Sequence, residues 1–247
     1  MENNSEFVFG IRPVIEAIKS GKEIERILMQ KEVGGNVVAE LTQLAHKHNI
    51  PIVKVPVEKL NRITRKVHQG VICFISPVIY ASLDNVISEA YSKGETPFIL
   101  VLDRVTDVRN FGAIARSAEC MGVQAIVIPS RGSAQINSDA VKTSAGALNY
   151  IPVCREDNLK NTLKYLKETG LKLIACSEKG NKNIDSTDCS GPVALIMGSE
   201  EDGISSEYLK LSDEMLKIPI TGEIQSLNVS VAAGIMMYEV VRQRSKK

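Results

Sequence analysis

Five residues able to bind, polarise or orient a reacting group fall in three short runs of the sequence. The first run is Leu102-Asp-Arg-Val-Thr-Asp-Val-Arg-Asn-Phe-Gly-Ala-Ile-Ala-Arg116. It offers Asn110, whose amide both donates and accepts, and Arg116, whose guanidinium can grip a phosphate through two parallel hydrogen bonds. The second, Ala194-Leu-Ile-Met-Gly-Ser-Glu-Glu-Asp-Gly-Ile204, sets Glu200 beside Glu201 and Asp202 between two glycines. The third, Ile218-Pro-Ile-Thr-Gly-Glu-Ile-Gln-Ser-Leu-Asn-Val-Ser-Val-Ala-Ala-Gly-Ile235, carries Ser226 and Asn228 ahead of small residues. A fixed cation beside amides suits the stabilisation of a developing anion, worth about 3–4 kcal/mol for one well-placed donor. Plainer readings stay open: Asn110 as a helix N-cap, Arg116 as a surface cation, the acidic triplet as a solvated turn, and the small-residue run as a packed core helix.

These side chains need elements to hold them. Apolar runs predict strands at Ile24–Met29, Ile52–Val55, Val71–Ser76, Phe98–Leu102, Ala125–Ile128, Leu171–Cys176, Val193–Met197 and Met215–Ile218. Amphipathic spacing predicts helices at Val37–His48, Asn110–Met121, Asp157–Thr169 (with Asp157 as N-cap) and Leu227–Arg244. The alternation predicts an α/β fold with a mostly parallel sheet. Gly198 follows a buried strand directly and lets backbone come close to a ligand, and Gly203 can supply a positive φ. A Pro/Gly/Ser-containing stretch before Phe98 reads as a linker, dividing the chain into 1–80, a linker 81–96, and 97–247.

Composition narrows the choices. The 247 residues are 44% hydrophobic and 24% charged, which excludes a disordered chain. The longest apolar runs are strand-sized, so no membrane span is expected, and no secretory signal is visible. Cys73, Cys120, Cys154, Cys176 and Cys189 include no C-x-x-C pair, which argues against a zinc site and a disulfide framework and for a reducing cytoplasm. His46, His48 and His68 all lie in the first third, so a Ser-His-Asp hydrolase or a His-ligated metal enzyme in the larger portion is excluded. No G-x-G-x-x-G, P-loop, G-x-S-x-G or H-E-x-x-H run occurs. Net charge is only +1, but basic residues are local: Lys59, Arg62, Arg65 and Lys66 stand in a stretch without acids as far as Tyr80, and the tail Arg242-Gln-Arg244-Ser-Lys-Lys is a second cluster.

Taken together and in order, N-F-G-A-I-A-R, M-G-S-E-E-D-G-I and I-P-I…S-L-N-V-S-V-A-A-G-I resemble the SpoU (TrmH) family of RNA ribose 2′-O-methyltransferases, within the SPOUT superfamily. The resemblance covers about 97–244. Phe9-Gly-Ile-Arg-Pro-Val-Ile-Glu-Ala, Val67-His-Gln-Gly70, Val105-Thr-Asp107 and Ser133-Ala-Gln-Ile-Asn137 look like the RlmB branch, whose members methylate a guanosine ribose in large-subunit (23S) ribosomal RNA. One departure is Glu201, where many relatives carry Gly. The resemblance implies a deep C-terminal trefoil knot formed by the loops after Met197 and Ile218, binding S-adenosylmethionine in a bent form. It implies cofactor contacts near Gly198, Ile218 and Leu227, with Ser177 as a further candidate. Arg116, Asn110, Glu200, Ser226 and Asn228 are the implied catalytic constellation, with no metal.

The resemblance further implies a homodimer with the site at its two-fold interface and Arg116 contributed from either chain. The N-terminal piece, a small ribosomal-protein-like α/β RNA-binding domain, would select RNA through Arg12, Arg62, Arg65, Lys66 and His68, with Gln69 and Gly70 shaping a turn. With 5 Phe, 6 Tyr and no Trp, no aromatic stacking platform is evident, so shape and phosphate contacts are expected to dominate. Transfer to tRNA or to another ribosomal RNA site, and a non-catalytic rRNA-binding assembly factor, are the rival readings.

Overall fold

The computed structural model describes residues 7–224 and 226–245. Lys246 and Lys247 of the basic tail and Gln225 of the third run lie outside them. The chain forms two compact units: residues up to Ile79 with Ile136–Ser138, and Tyr80–Gln135 with Asp139 onward. Among the described residues no helix is long and apolar enough to cross a membrane.

The first unit runs β1 (Phe7–Phe9), α1 (Ile11–Lys19), β2 (Ile24–Gln30), α2 (Asn36–Lys47), β3 (Ile52–Val55), α3 (Val57–Ile63) and β4 (Val71–Ile75). Its sheet has the order β1-β4-β2-β3, with only the β2–β3 pair parallel. The mostly parallel sheet expected from the alternation is therefore a property of the second unit alone. Alternating side chains divide this sheet cleanly. Val8, Ile27, Met29, Val71 and Cys73 pack under α1 and α2, while Leu28, Ile72 and Val55 pack under Leu60 of α3.

The second unit contains α4 (Leu83–Ser92), β5 (Phe98–Leu102), α5 (Val108–Cys120), β6 (Ala125–Pro129), α6 (Ser138–Thr143), β7 (Val153–Glu156), α7 (Leu159–Glu168), β8 (Lys172–Cys176), β9 (Lys182–Asn183), β10 (Val193–Met197), α8 (Ser206–Leu211), β11 (Glu214–Lys217) and α9 (Val229–Arg244). Its sheet has the order β7-β6-β5-β10-β8-β11-β9, and every neighbouring pair is parallel. β5 and β10 are the central pair and are buried at all five positions each, as continuous apolar runs in a sheet covered on both faces must be. Strand order reverses between them: β6 and β7 lie on one side, β8, β9 and β11 on the other. The carboxyl ends of β5 and β10 thus form a topological switch point, where loops diverge and leave a crevice.

The segment read as a linker, 81–96, contains α4. Ser82 caps it by accepting from the Asn85 N–H, and Leu83 and Ile87 enter the second unit's core. Two capping expectations also change. α5 begins at Val108 because Asp107 accepts from the N–H groups of Arg109 and Asn110, so Asp107 is the N-cap and Asn110 lies inside the first turn. α7 is capped by Asn158, not Asp157.

Candidate active site

The crevice beyond β5 and β10 gathers side chains from three segments. Asn110 on α5 donates from Nδ2 to Glu200 Oε1 at 2.8 Å. Asn228 donates from Nδ2 to the same Glu200 oxygen at 3.0 Å and to Asn110 Oδ1 at 3.0 Å. Asn228 is also the N-cap of α9, its Oδ1 accepting from the Ser230 N–H at 2.9 Å. The Glu200 carboxylate therefore sits where the N-termini of α5 and α9 converge.

Glu200 is held there by its loop. Ser199 and Gly203 exchange two backbone hydrogen bonds of 3.1 Å, closing a tight turn with Glu200, Glu201 and Asp202 at its tip. Gly203 adopts φ +68°, as expected of a glycine there. Gly198 has a different reason to be glycine from the one expected. A Cβ at this position would lie 2.1 Å from the Gly203 carbonyl carbon. What comes close to Gly198 is thus the chain's own loop.

Two residues that the sequence reading quoted but passed over lock this loop to β5. Asp103 is buried and accepts from Ser205 N and Oγ, both at 2.7 Å. Arg104 donates from Nε to Asp103 at 3.0 Å, from one terminal nitrogen to Asp202 at 3.1 Å, and from the other to the Gly203 carbonyl at 3.2 Å. Arg104 does so from φ +59°, a left-handed conformation that a non-glycine residue holds only when its surroundings impose it. Its hydrogen bond to Asp103 pushes the guanidinium pKa above its ordinary value. The available signal was an acid placed directly after an all-apolar strand. Arg104, Thr106, Asp107, Asn110, Glu200 and Asp202 share the wall of one pocket.

A second pocket opens beyond β8, β10 and β11. Its lining is mainly apolar, from Met197, Leu216, Ile218, Ile220, Leu227 and Met236, with polar groups from Ser177, Glu178 and Ser226. Expected cofactor residues Ser177, Ile218 and Leu227 meet here. The backbone ties the rim: Ser177 N–H donates to the Leu216 carbonyl at 2.9 Å, and Gly180 packs so closely on β11 that a Cβ would meet the Met215 carbonyl at 2.8 Å. Such a lining suits a flat ligand with one polar end. Ser226 belongs to this pocket and not to the Asn110–Glu200–Asn228 cluster.

Arg116 joins neither pocket wall. It is exposed on α5 and makes no hydrogen bond or ion pair among the described residues. Six residues past Asn110, it lies about 9 Å along the helix and about 120° around it. Within one chain it faces away from the amides.

The expected RNA-contacting residues separate. Arg62, Arg65 and Lys66 are exposed on and after α3. Arg12 lies on α1, over the opposite sheet face, 3.5 Å from Glu40. His68, expected to face RNA, is buried instead: Nε2 bonds Asn61 Oδ1 at 2.9 Å and Nδ1 accepts from the Gly70 N–H at 3.0 Å. The Gln69-Gly70 turn is tied back to the domain, with Gln69 exposed and its Oε1 accepting from the Ile11 N–H at the start of α1. The basic tail is structural where described. Arg244 donates to the carbonyls of Thr96, Pro97 and Gly191, and Arg242 pairs with Glu239. Among the described residues no group of three or more His, Cys, Asp or Glu side chains is arranged to hold a metal ion.

Residues 97–238 match the SpoU rRNA Methylase family, and residues 7–81 match the domain described as RNA 2′-O ribose methyltransferase substrate binding. A Bacillus subtilis (strain 168) protein, YacO, placed in the TrmH family of tRNA/rRNA methyltransferases, is 36% identical over 245 residues, 99% of this chain and 98% of its own. The AdoMet-bound rRNA methyltransferase from Sinorhizobium meliloti superposes with a TM-score of 0.61 at 24% identity, over 96% of this chain and 86% of its own. The TrmH/SpoU tRNA modifying enzyme of A. aeolicus does so with 0.56 at 28% identity, over 66% and 85%. A parallel sheet with its polar crevice at the switch point defines an α/β enzyme. This chain belongs to the SpoU rRNA methylase family of RNA methyltransferases.

Proposed function

We propose that the protein transfers a methyl group from S-adenosylmethionine to a ribose 2′-hydroxyl of ribosomal RNA, at a guanosine of the large subunit. The observation that carries this reading is the Asn110–Glu200–Asn228 cluster, which neighbours an apolar pocket across β10. S-adenosylmethionine supplies an electrophilic methyl on a sulfonium. The apolar walls from Ile218, Leu227 and Met236 fit an adenosine, and Ser177, Glu178 and Ser226 offer polar partners for its sugar and amino-acid ends. The threaded course of the loops after Met197 and Ile218 belongs to the same proposal.

Glu200 fixes both amides, and the fixed amides orient the ribose. Alignment of this kind is worth up to roughly 7–11 kcal/mol in favourable cases. Arg116 steadies the oxyanion that forms as the hydroxyl attacks, while a phosphate oxygen or water takes the proton, because a guanidinium is too weak an acid to act as its own base. Its direction on α5 makes it serve the partner's site. A surface for that partner exists on α9, where Val231, Ile235 and Tyr238 are 51%, 37% and 55% exposed at helical spacing while Ala233, Met236, Met237 and Val240 of the same helix are buried. We place the enzyme in the cytoplasm, with the RNA it modifies.

Ribosomal RNA is favoured because the family matched over residues 97–238 is described as an rRNA methylase family. The tRNA reading is supported by the A. aeolicus tRNA modifying enzyme and by the tRNA/rRNA description of the Bacillus subtilis relative. The test is calorimetry with S-adenosylmethionine, followed by tritiated-methyl transfer to unmodified large-subunit RNA and to bulk tRNA. Cofactor heat with label in the large-subunit RNA is expected. Label in tRNA alone would move the reading to the second substrate, and absence of cofactor binding would leave an RNA-binding factor.

A further inference from the structure

The two faces of the first unit's sheet are covered unequally. Two helices, of 9 and 12 residues, cover one face, and the seven-residue α3 is the helix packed on the other. On the α3 side, Phe7 pairs with Phe74 across β1 and β4, and Phe74 pairs with Arg26 across β4 and β2. The three therefore form one cross-strand row on the same face. All three are only part-buried. The Phe7 ring lies 6.2 Å from both Phe9 and Phe74. The Arg26 guanidinium lies 5.0 Å over the Phe74 ring, and Lys66 Nζ lies 5.8 Å over the Phe9 ring. Arg26 Nε is buried and makes no hydrogen bond. Three of the chain's five phenylalanines thus gather where the low aromatic count predicted no platform.

From this row we infer that the α3 face of the first unit's sheet is a base-stacking surface for RNA, with unpaired bases lying against the Phe7–Phe74–Arg26 row and Lys66 meeting a flanking phosphate. Charge selects the occupant. Lys66 reaches the aromatic cluster over Phe9, and Arg62 and Arg65, exposed on and after α3, stand close to it in sequence, in a stretch with no acid from Lys59 to Tyr80. Aromatic rings interleaved with cations are the combination that holds single-stranded nucleic acid, because every base has a π-face and every nucleotide a phosphate. A guanidinium layered on a ring extends the platform, since its own plane also stacks on bases.

The inference rests on the RNA methyltransferase reading and is tested apart from it. The chain has no tryptophan, so Phe7→Trp introduces a single indole into the row, excited at wavelengths where the six tyrosines do not absorb. On titration with an unmodified large-subunit ribosomal RNA transcript, its emission is expected to be quenched. Unchanged emission with RNA bound overturns the inference. Phe74→Leu keeps an apolar side chain without a ring and is expected to weaken RNA binding roughly ten-fold, while Phe74→Tyr binds as the unaltered chain does. A Leu variant with full RNA affinity overturns the inference as well. Calorimetry with S-adenosylmethionine and methyl transfer are measured on the same proteins. Loss of both in the unaltered chain contradicts the enzyme reading alone, whereas intact transfer with a silent fluorophore contradicts the stacking surface alone.

Discussion

Arg116 shows how chemistry and direction separate at the scale of a single residue. The guanidinium is exposed and makes no hydrogen bond or ion pair among the described residues, on a helix that carries Asn110 about 120° away around its axis. Arg116→Lys keeps the charge and loses the fork, so kcat is expected to fall about 10²-fold while S-adenosylmethionine affinity holds. Near-normal turnover would remove the bidentate argument. Asn110, Glu200 and Asn228 were legible because amides and a carboxylate recur in short, distinctive runs. Asp103 and Arg104 were not, because their clasp joins positions about a hundred residues apart and leaves no local pattern. Arg104→Ala is expected to lower kcat about ten-fold or more by freeing the 199–203 turn, with cofactor affinity unchanged. The comparison of kcat with cofactor binding separates this from simple loss of fold. His68 was misread because a histidine in a basic run gives no sign of which way its ring faces.

At the scale of elements, legibility followed length and burial. β5 and β10 occur at the expected residues because they are apolar runs bounded by polar loops, and β3 does so because its β-branched residues stand between Pro51 and Pro56. β1 and β9, of three and two residues, are too short to carry a period. α4 was taken for a linker because its flanks carry Ser, Gly and Pro, although Leu83, Val86, Ile87 and Ala90 give it an apolar face. The end of β7 allows a pH test. Glu156 is half-buried, and burial raises its carboxyl pKa against the opposing hydrogen bond from Thr162. A carboxyl with a raised folded pKa binds more protons folded than unfolded. Its contribution to stability is therefore present at low pH and lost as pH rises through the folded value. Glu156→Gln is expected to melt higher than the parent at pH 7, with the difference shrinking as pH falls toward 4. A constant difference across that range would contradict the assignment.

For the whole molecule, the proposed two-fold assembly rests on a helix with an uncovered apolar face and on an arginine turned away from the amides of its own chain. Arg116→Ala and Glu200→Ala chains are each expected to be inactive alone. Mixed and re-paired at random, about half the dimers hold one chain of each kind, and each such dimer has one complete site, so about a quarter of the unaltered activity returns. No recovery would put Arg116 in its own chain's site. The Pro/Gly/Ser-containing stretch after Ser76 pointed to a break near residue 80, and the two compact units part between Ile79 and Tyr80, with no sign in the sequence that Ile136–Ser138 joins the first. The asymmetry of the first unit's sheet was not, because alternation reveals two faces without revealing what covers them.

The most direct measurement is nucleoside analysis of large-subunit RNA labelled by the purified protein with tritiated S-adenosylmethionine. The label is expected in 2′-O-methylguanosine, released within a dinucleotide that resists alkaline hydrolysis. Label in a base-methylated nucleoside, or none in RNA at all, would contradict a site built to present a ribose hydroxyl.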